Sequence, residues 1–184
     1  MKKFELTSEH KINWFGRTLY RIKACINFTT INGEEIKVGE LGGWLEKEEN
    51  LSHEGKTWVC GDARVWGNAR VCGDARVWGN AEVWGNARVW GNAEVCGDAR
   101  VCGDARVFSP NHALTIGAIG SRNDFTTFFR DKDDEIAVKC GCFLGKIDTF
   151  AKKVSETHGD SKYAMVYKAA IELAKLQIDL RDSK

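Results

Sequence analysis

The stretch of this sequence best supplied with ligand-binding chemistry is GAIGSRNDFTT, residues 117–127. Ser121, Arg122, Asn123, Thr126 and Thr127 concentrate hydroxyl, amide and guanidinium donors in a turn bracketed by Gly117 and Gly120. Such a loop can offer backbone N–H groups and a bidentate guanidinium to a phosphate or carboxylate. An aromatic ring such as Phe129 or Trp90 would stack on a base. The segment has no P-loop lysine and no strand-to-helix setting of a nucleotide fingerprint, so a plain strand connection stays open beside the site.

Other reactive side chains are sparse. The four histidines are His10, His53, His112 and His158. Cys140-Gly-Cys142 has no second cysteine pair at zinc spacing, so neither a metal nor a cofactor is expected. With seven cysteines, an odd number, and no secretory leader, reduced thiols are expected rather than a disulfide framework. No apolar run approaches the roughly 20 residues that span a bilayer, so the expected location is the cytoplasm, with no membrane partner. A net charge of +1 supplies no bulk attraction for nucleic acid, and any anion must be bound locally.

What must position these groups is a repeat. Val59, Val65, Val71, Val77, Val83, Val89, Val95, Val101 and Val107 recur every six residues without a gap. On an α-helix six residues turn through about 600°, so the valines would share no face. On a strand they stay on one face together with the alanines two positions earlier, while Arg, Glu, Trp and Cys point the other way. A Gly-Asn or Gly-Asp pair after each short strand supplies the turn. Short strands, identical corners and a small-plus-branched interior specify a stacked solenoid.

These hexapeptides resemble the hexapeptide-repeat family, whose fold is a left-handed parallel β-helix with three hexapeptides per triangular coil. The resemblance implies about three coils stacked at roughly 4.8 Å, with residues eighteen apart in register. One outward ladder would then be Arg70, Arg88 and Arg106, beside Cys72, Trp90 and Phe108. A second would be Arg64, Glu82 and Arg100 beside Trp66, Trp84 and Cys102. A third would be Arg76, Glu94 and His112 beside Cys60, Trp78 and Cys96. The all-arginine ladder repels itself unless an anion or a partner carboxylate lies against it. It reads as an anion contact, with Arg88, Arg106 and Trp90 as candidate ligand residues, as a subunit contact, or as arginines splayed into solvent over neighbouring tryptophans. Six Arg against four Asp and two Glu between Val59 and Val107 cancel, which disfavours a nucleic-acid tract. Four outward tryptophans imply an apolar patch and hence a homo-oligomer, and a trimer is usual for the fold that the repeat resembles.

The whole chain therefore reads as mainly β. Residues 1–55 are an N-terminal β cap with Trp44 as a plug, residues 56–112 the β-helix, and residues 113–184 a small α+β domain. That domain reads as strands over 114–119, 125–130 and 135–140, then helices over 148–159 and 161–180, the first N-capped by Asp148. The helix after Ser161 carries an apolar stripe of Tyr163, Tyr167, Ala170, Ile171, Ala174 and Ile178.

With the KFELT start, the GELGGWLEKEENLS lead-in, the GNARV/GDARV coils and the IGSRNDFTTFF tail, the chain resembles small hexapeptide-repeat proteins of bacteriophages and prophages. The resemblance implies an adjustable coil core, with specificity in the tail or between subunits. The function expected is non-enzymatic: an oligomer that binds a small anionic or nucleotide-like ligand and withdraws a host defence signal. A scaffold that binds a host protein stands beside it. Acyl transfer, common among hexapeptide-repeat proteins, is disfavoured because no histidine lies on a loop extruded from a coil.

Overall fold

The structure is a computed structural model in which residues 1–180 are described. The chain is mainly β, built on a parallel β-solenoid of about four turns, with strands before it and two helices after it. Five strands lead in: β1 (Phe4–Ile12), β2 (Thr18–Ala24), β3 (Phe28–Thr29), β4 (Glu35–Ile36) and β5 (Leu41–Leu45). Nine two-residue strands follow: β6 (Trp58–Val59), β7 (Arg64–Val65), β8 (Arg70–Val71), β9 (Arg76–Val77), β10 (Glu82–Val83), β11 (Arg88–Val89), β12 (Glu94–Val95), β13 (Arg100–Val101) and β14 (Arg106–Val107).

The eighteen-residue register is realised directly. Val65, Val83 and Val101 stack on one face, Val71, Val89 and Val107 on the second, and Val59, Val77 and Val95 on the third. All nine valines are at most 1% exposed, and the alanines beside them are equally enclosed. Each buried valine contributes roughly 1.5–3 kcal/mol, so the interior is a continuous source of stability along the axis.

The solenoid begins earlier than its valine register. Leu45 pairs in parallel with Val65, and Leu51 bridges to Val71, so the lead-in contributes two rungs of an irregular first turn. From Leu45 to Leu51 the step is six residues, but from Leu51 to Val59 it is eight. That break hides the first turn from a search for hexapeptides. Trp44 is not the plug. Its ring packs on the outer side against Leu19 and Trp66, under the Lys11 ammonium 4.0 Å from its centroid. Phe4, Ile22, Ile36 and Trp58 close the interior instead.

Corner chemistry explains the alternation of Asn and Asp. At one corner Asn68 Nδ2 donates to Asn86 Oδ1 (3.2 Å), and Asn86 Nδ2 donates to Asp104 Oδ1 (3.1 Å). At another Asn80 donates to Asp98 (3.1 Å). An amide can receive and donate, whereas a carboxylate can only receive, so Asp fits the end of a ladder and Asn its middle. No Asp in the repeat lies eighteen residues from another Asp. The corner glycines have positive φ, and a side chain on Gly73 would approach Gly91 N to 2.9 Å in the next coil.

The stack has a direction. Each coil donates N–H groups to carbonyls of the following coil, as in Arg64 N–H to Ala81 O (2.9 Å) and Trp66 N–H to Val83 O (3.0 Å). The first coils therefore lack donors for their carbonyls, and the last coil lacks acceptors for its N–H groups. On the N-terminal side, Asn50 Nδ2 donates to Ala69 O (2.8 Å) and Thr57 Oγ1 to Ala75 O (2.8 Å). The fully buried Lys3 ammonium donates to Thr57 O (2.9 Å) and to Glu54 O and Gly55 O (3.3 Å each).

On the C-terminal side a four-stranded antiparallel sheet closes the prism: β15 (Ala113–Ile119), β16 (Asp124–Arg130), β17 (Ile136–Cys140) and β18 (Phe143–Lys146). Helices α1 (Ile147–His158) and α2 (Lys162–Gln177) pack on its far face. Strand β16 divides its side chains by parity. Phe128 enters the helix-side core, and Phe129, 1% exposed, enters the solenoid core. Thr127 Oγ1 accepts the Arg100 N–H (2.9 Å) that has no coil above it. The first helix is N-capped at Lys146, two residues before the expected Asp148, because β18 runs directly into it. Ser161, expected as the first residue of α2, is its N-cap, its side chain accepting from Ala164 N–H, and Tyr163 is 48% exposed and lies outside the buried stripe.

Burial lowers the Lys3 pKa from its ordinary 10.5 to about 8, against the opposing pull of Asp74. Between those values the unfolded chain holds a proton that the folded chain has released, so stability rises with pH across that window. We expect the unfolding free energy of the wild type, relative to Lys3→Met, to be flat from about pH 6 to 7.5 and to climb by roughly 2–3 kcal/mol towards pH 10.5. Urea unfolding at a series of pH values measures it, and a flat difference throughout would refute the buried-ammonium cap.

Candidate functional site

The β15–β16 turn, the β17–β18 turn and one face of α1 enclose a cleft of about 590 Å³. Helical spacing explains the α1 contribution: Thr149, Phe150, Lys153, Val154, Thr157 and His158 recur at three- and four-residue intervals on one side. Phe150 and Val154 are buried against the sheet, while Lys153 and Thr157 stay exposed at the rim. Ser121 and Arg122 enter from the β15–β16 turn, and Cys140, Cys142 and Phe143 from the opposite hairpin.

The floor is a chain of rings. Phe143 and Phe150 lie 5.2 Å apart, Phe150 meets Tyr167 edge-on at 5.5 Å, and Tyr167 stacks with His158 at 5.7 Å. Above the floor, the Arg122 guanidinium lies against Gly141, where a side-chain carbon would sit 3.3 Å from it. Arg122 and Lys153 form no ion pair among the described residues, and Asp124, at the end of the same turn as Arg122, pairs with Arg100 (3.3 Å). Among the described residues no acidic one lines the cleft. Burial, with the neighbouring Cys140, pushes the Tyr167 phenol up to about 12 against a hydrogen bond from Ser121, so it is a neutral hydroxyl at ordinary pH. Cys140 Sγ lies 3.8 Å from that hydroxyl and receives the Thr126 hydroxyl at 3.3 Å. The arrangement combines an apolar, ring-lined base with a cationic rim.

The sequence-derived candidates separate into three groups. Ser121 and Arg122 line the cleft, and Asn123 is exposed on the same turn. Thr126, Thr127 and Phe129 are at most 1% exposed and do structural work, since β16 is the strand that closes the solenoid. Arg88, Trp90 and Arg106 lie on the solenoid, away from the cleft. Arg70, Arg88 and Arg106 are in register and exposed. Trp90 stacks on Phe108 at 4.9 Å, and the Arg130 guanidinium covers Phe108 at 4.7 Å.

The tryptophans do not form the exposed patch expected of them. Trp66 is 3% exposed and stacks on Trp84 at 5.0 Å with the rings 2° from parallel, while Trp78, Trp84 and Trp90 are half-buried. Apolar exposure lies instead at Ile12, Trp14 and Phe15 on the β1–β2 hairpin tip and along α2 at Met165, Leu173 and Leu176. Among the described residues no helix is long and apolar enough to cross a membrane, and no group of three or more His, Cys, Asp or Glu could hold a metal ion.

Sequence reasoning did not find Lys153, His158, Phe143, Phe150 or Tyr167 as cleft residues. The α1 spacing was a usable signal, since it mixes hydroxyl, cationic and aromatic groups on one stripe. Only the fold shows that this stripe faces the Ser121–Arg122 turn.

Gly120 is the point where turn and floor meet. Its φ is +71°, and any side chain there would overlap the Tyr167 hydroxyl. We expect Gly120→Ala to cost about 2 kcal/mol. Combined with Tyr167→Ala, the loss should be less than the sum of the single losses, because both the hydroxyl and the ring carbons that the new side chain would overlap are removed. A double-mutant cycle by urea unfolding reads this, and strict additivity would exclude the contact.

Comparison with protein-family models gives no match, and none of the curated proteins matches the chain.

Proposed function

We propose that the protein is a non-enzymatic binding protein whose C-terminal cleft takes a small anionic or nucleotide-like ligand. One observation carries this reading: a ring-floored cleft whose charged lining is cationic, with Arg122 and Lys153 unneutralised by any lining carboxylate. A bidentate guanidinium and an ammonium suit a phosphate or carboxylate, and the Phe143–Phe150 surface suits a planar or apolar body. Two histidines are engaged in packing, which supports a role without catalysis. His53 stacks on Phe4 at 4.3 Å and pairs with Glu48 at 2.6 Å, and His112 meets Phe108 edge-on at 4.0 Å.

The resemblance of the sequence to phage and prophage hexapeptide-repeat proteins suggests the setting. There the protein would act in the bacterial cytoplasm, assembled as a homotrimer, and withdraw a nucleotide-like host defence signal. A second reading, a scaffold for a host protein, draws on Trp14, 93% exposed at the hairpin tip with Ile12 and Phe15 at 70% each.

Titration calorimetry with cyclic dinucleotides, ADP-ribose-type compounds and small dicarboxylates separates the two. A ligand of this class should bind, with Arg122→Ala and Lys153→Ala each weakening it about tenfold. Both side chains are exposed, so the thermal stability of the unliganded protein should not change. Absence of heat with every compound, or unaltered affinity in Arg122→Ala, would overturn the cleft as the site.

A further inference from the structure

Two faces of the solenoid neutralise their arginines. On one, Glu82 sits between Arg64 (3.2 Å) and Arg100 (3.9 Å), and Asp124 adds a second partner for Arg100. On another, Glu34 from the β3–β4 turn pairs with Arg76, and Asn32 donates to Glu94 Oε1 (2.7 Å). The third face differs. Arg70, Arg88 and Arg106 are stacked by the strand register, all exposed, and none has an ion-pair partner among the described residues. Like charges at strand spacing of about 4.8 Å destabilise one another unless an anion lies against them.

A second observation places that anion. The corner beside this face is concave: a groove of about 480 Å³ is lined by Lys47, Asn68, Arg70, Asn86 and Arg88, with Glu49 as its one carboxylate. Asn68 and Asn86 each commit one amide hydrogen to the corner ladder. An amide carries two, so the second remains for a ligand. Two successive coils thus each present one guanidinium and one spare amide N–H, and Lys47 stands on the lead-in side. The donors repeat at the coil spacing, along the solenoid axis.

We propose that this corner groove is a second anion site, distinct from the C-terminal cleft, for a linear chain of linked phosphates lying parallel to the solenoid axis. A single phosphate can satisfy one coil's donors, whereas a chain bridges both coils and relieves the repulsion between Arg70 and Arg88. The same chemistry is offered by a free polyphosphate and by the triphosphate tail of a nucleotide.

The test is calorimetry at low ionic strength in the Arg122→Ala/Lys153→Ala background, which strips the cleft of its guanidinium and its ammonium. Inorganic tripolyphosphate should bind, with orthophosphate about tenfold weaker or more. Arg70→Gln and Arg88→Gln should each weaken tripolyphosphate about tenfold, and added salt should reduce the affinity. Glu49→Gln should tighten binding by removing the one opposing charge. ATP binding equal to tripolyphosphate would identify the free chain as the ligand, and tighter ATP binding would identify the nucleotide tail. Circular dichroism confirms that the variants keep their strands. Lack of heat with tripolyphosphate, or undiminished binding in the Arg70→Gln/Arg88→Gln double variant, would overturn the proposal.

Discussion

Each coil hands its N–H groups to the carbonyls of the next coil, seventeen residues on, and this one-way pairing shapes nearly everything else in the molecule. It fixes which residues stack, so outward side chains become ladders rather than a scattered surface. It also leaves the two ends chemically opposite. Orphan carbonyls at the beginning require donors, which Lys3 and Asn50 supply. Orphan N–H groups at the end require acceptors, of which Thr127 is one. Exchanging the roles of the two caps would leave buried polar groups unpaired at both ends, at about 1–3 kcal/mol each.

The closure of the solenoid also builds the cleft. Strand β16 sends Phe129 down into the prism and Phe128 up towards the helices, so one strand serves two cores. The turn that precedes it then projects Ser121 and Arg122 over the ring floor made by α1 and α2. The cleft thus stands on the last coil, while the arginine-lined corner groove belongs to the first and middle coils. Nitrogen donors gather differently in the two places: in the groove by repetition of one motif, in the cleft by convergence of a turn, a hairpin and two helices.

How much of this is legible in the sequence depends on whether a feature repeats. The valine register, the ladders carried by β6 to β14 and the corner glycines follow from counting to six and eighteen. His112 and Cys102 do not take the outward places expected of them: they are 3% and 0% exposed, and His112 turns in against Phe108. The placement of Asn and Asp follows from the same count once the donor capacity of an amide is considered. The eight-residue step from Leu51 to Val59 breaks the period, so the first turn was absorbed into the expected cap. In DFTTFFR the alternation of faces is readable, but not which face meets the prism. The burial of Thr126, Thr127 and Phe129 in β16 is therefore not readable from their residue types. Lys153 and His158 lie some thirty residues from Arg122 in the chain, and nothing local joins them to it.

The central claim is that the coil of eighteen residues is the unit of the structure and that the caps read only the coil they touch. Thermal unfolding of two deletions tests it. Removing residues 81–98 preserves the face on which every later residue lies and keeps Asp off Asp in the corner ladders. Removing residues 93–98 rotates the C-terminal cap by one face. The first should still unfold in a single cooperative transition, at a somewhat lower temperature, and the second should lose cooperativity. Equal behaviour of the two deletions would contradict the account.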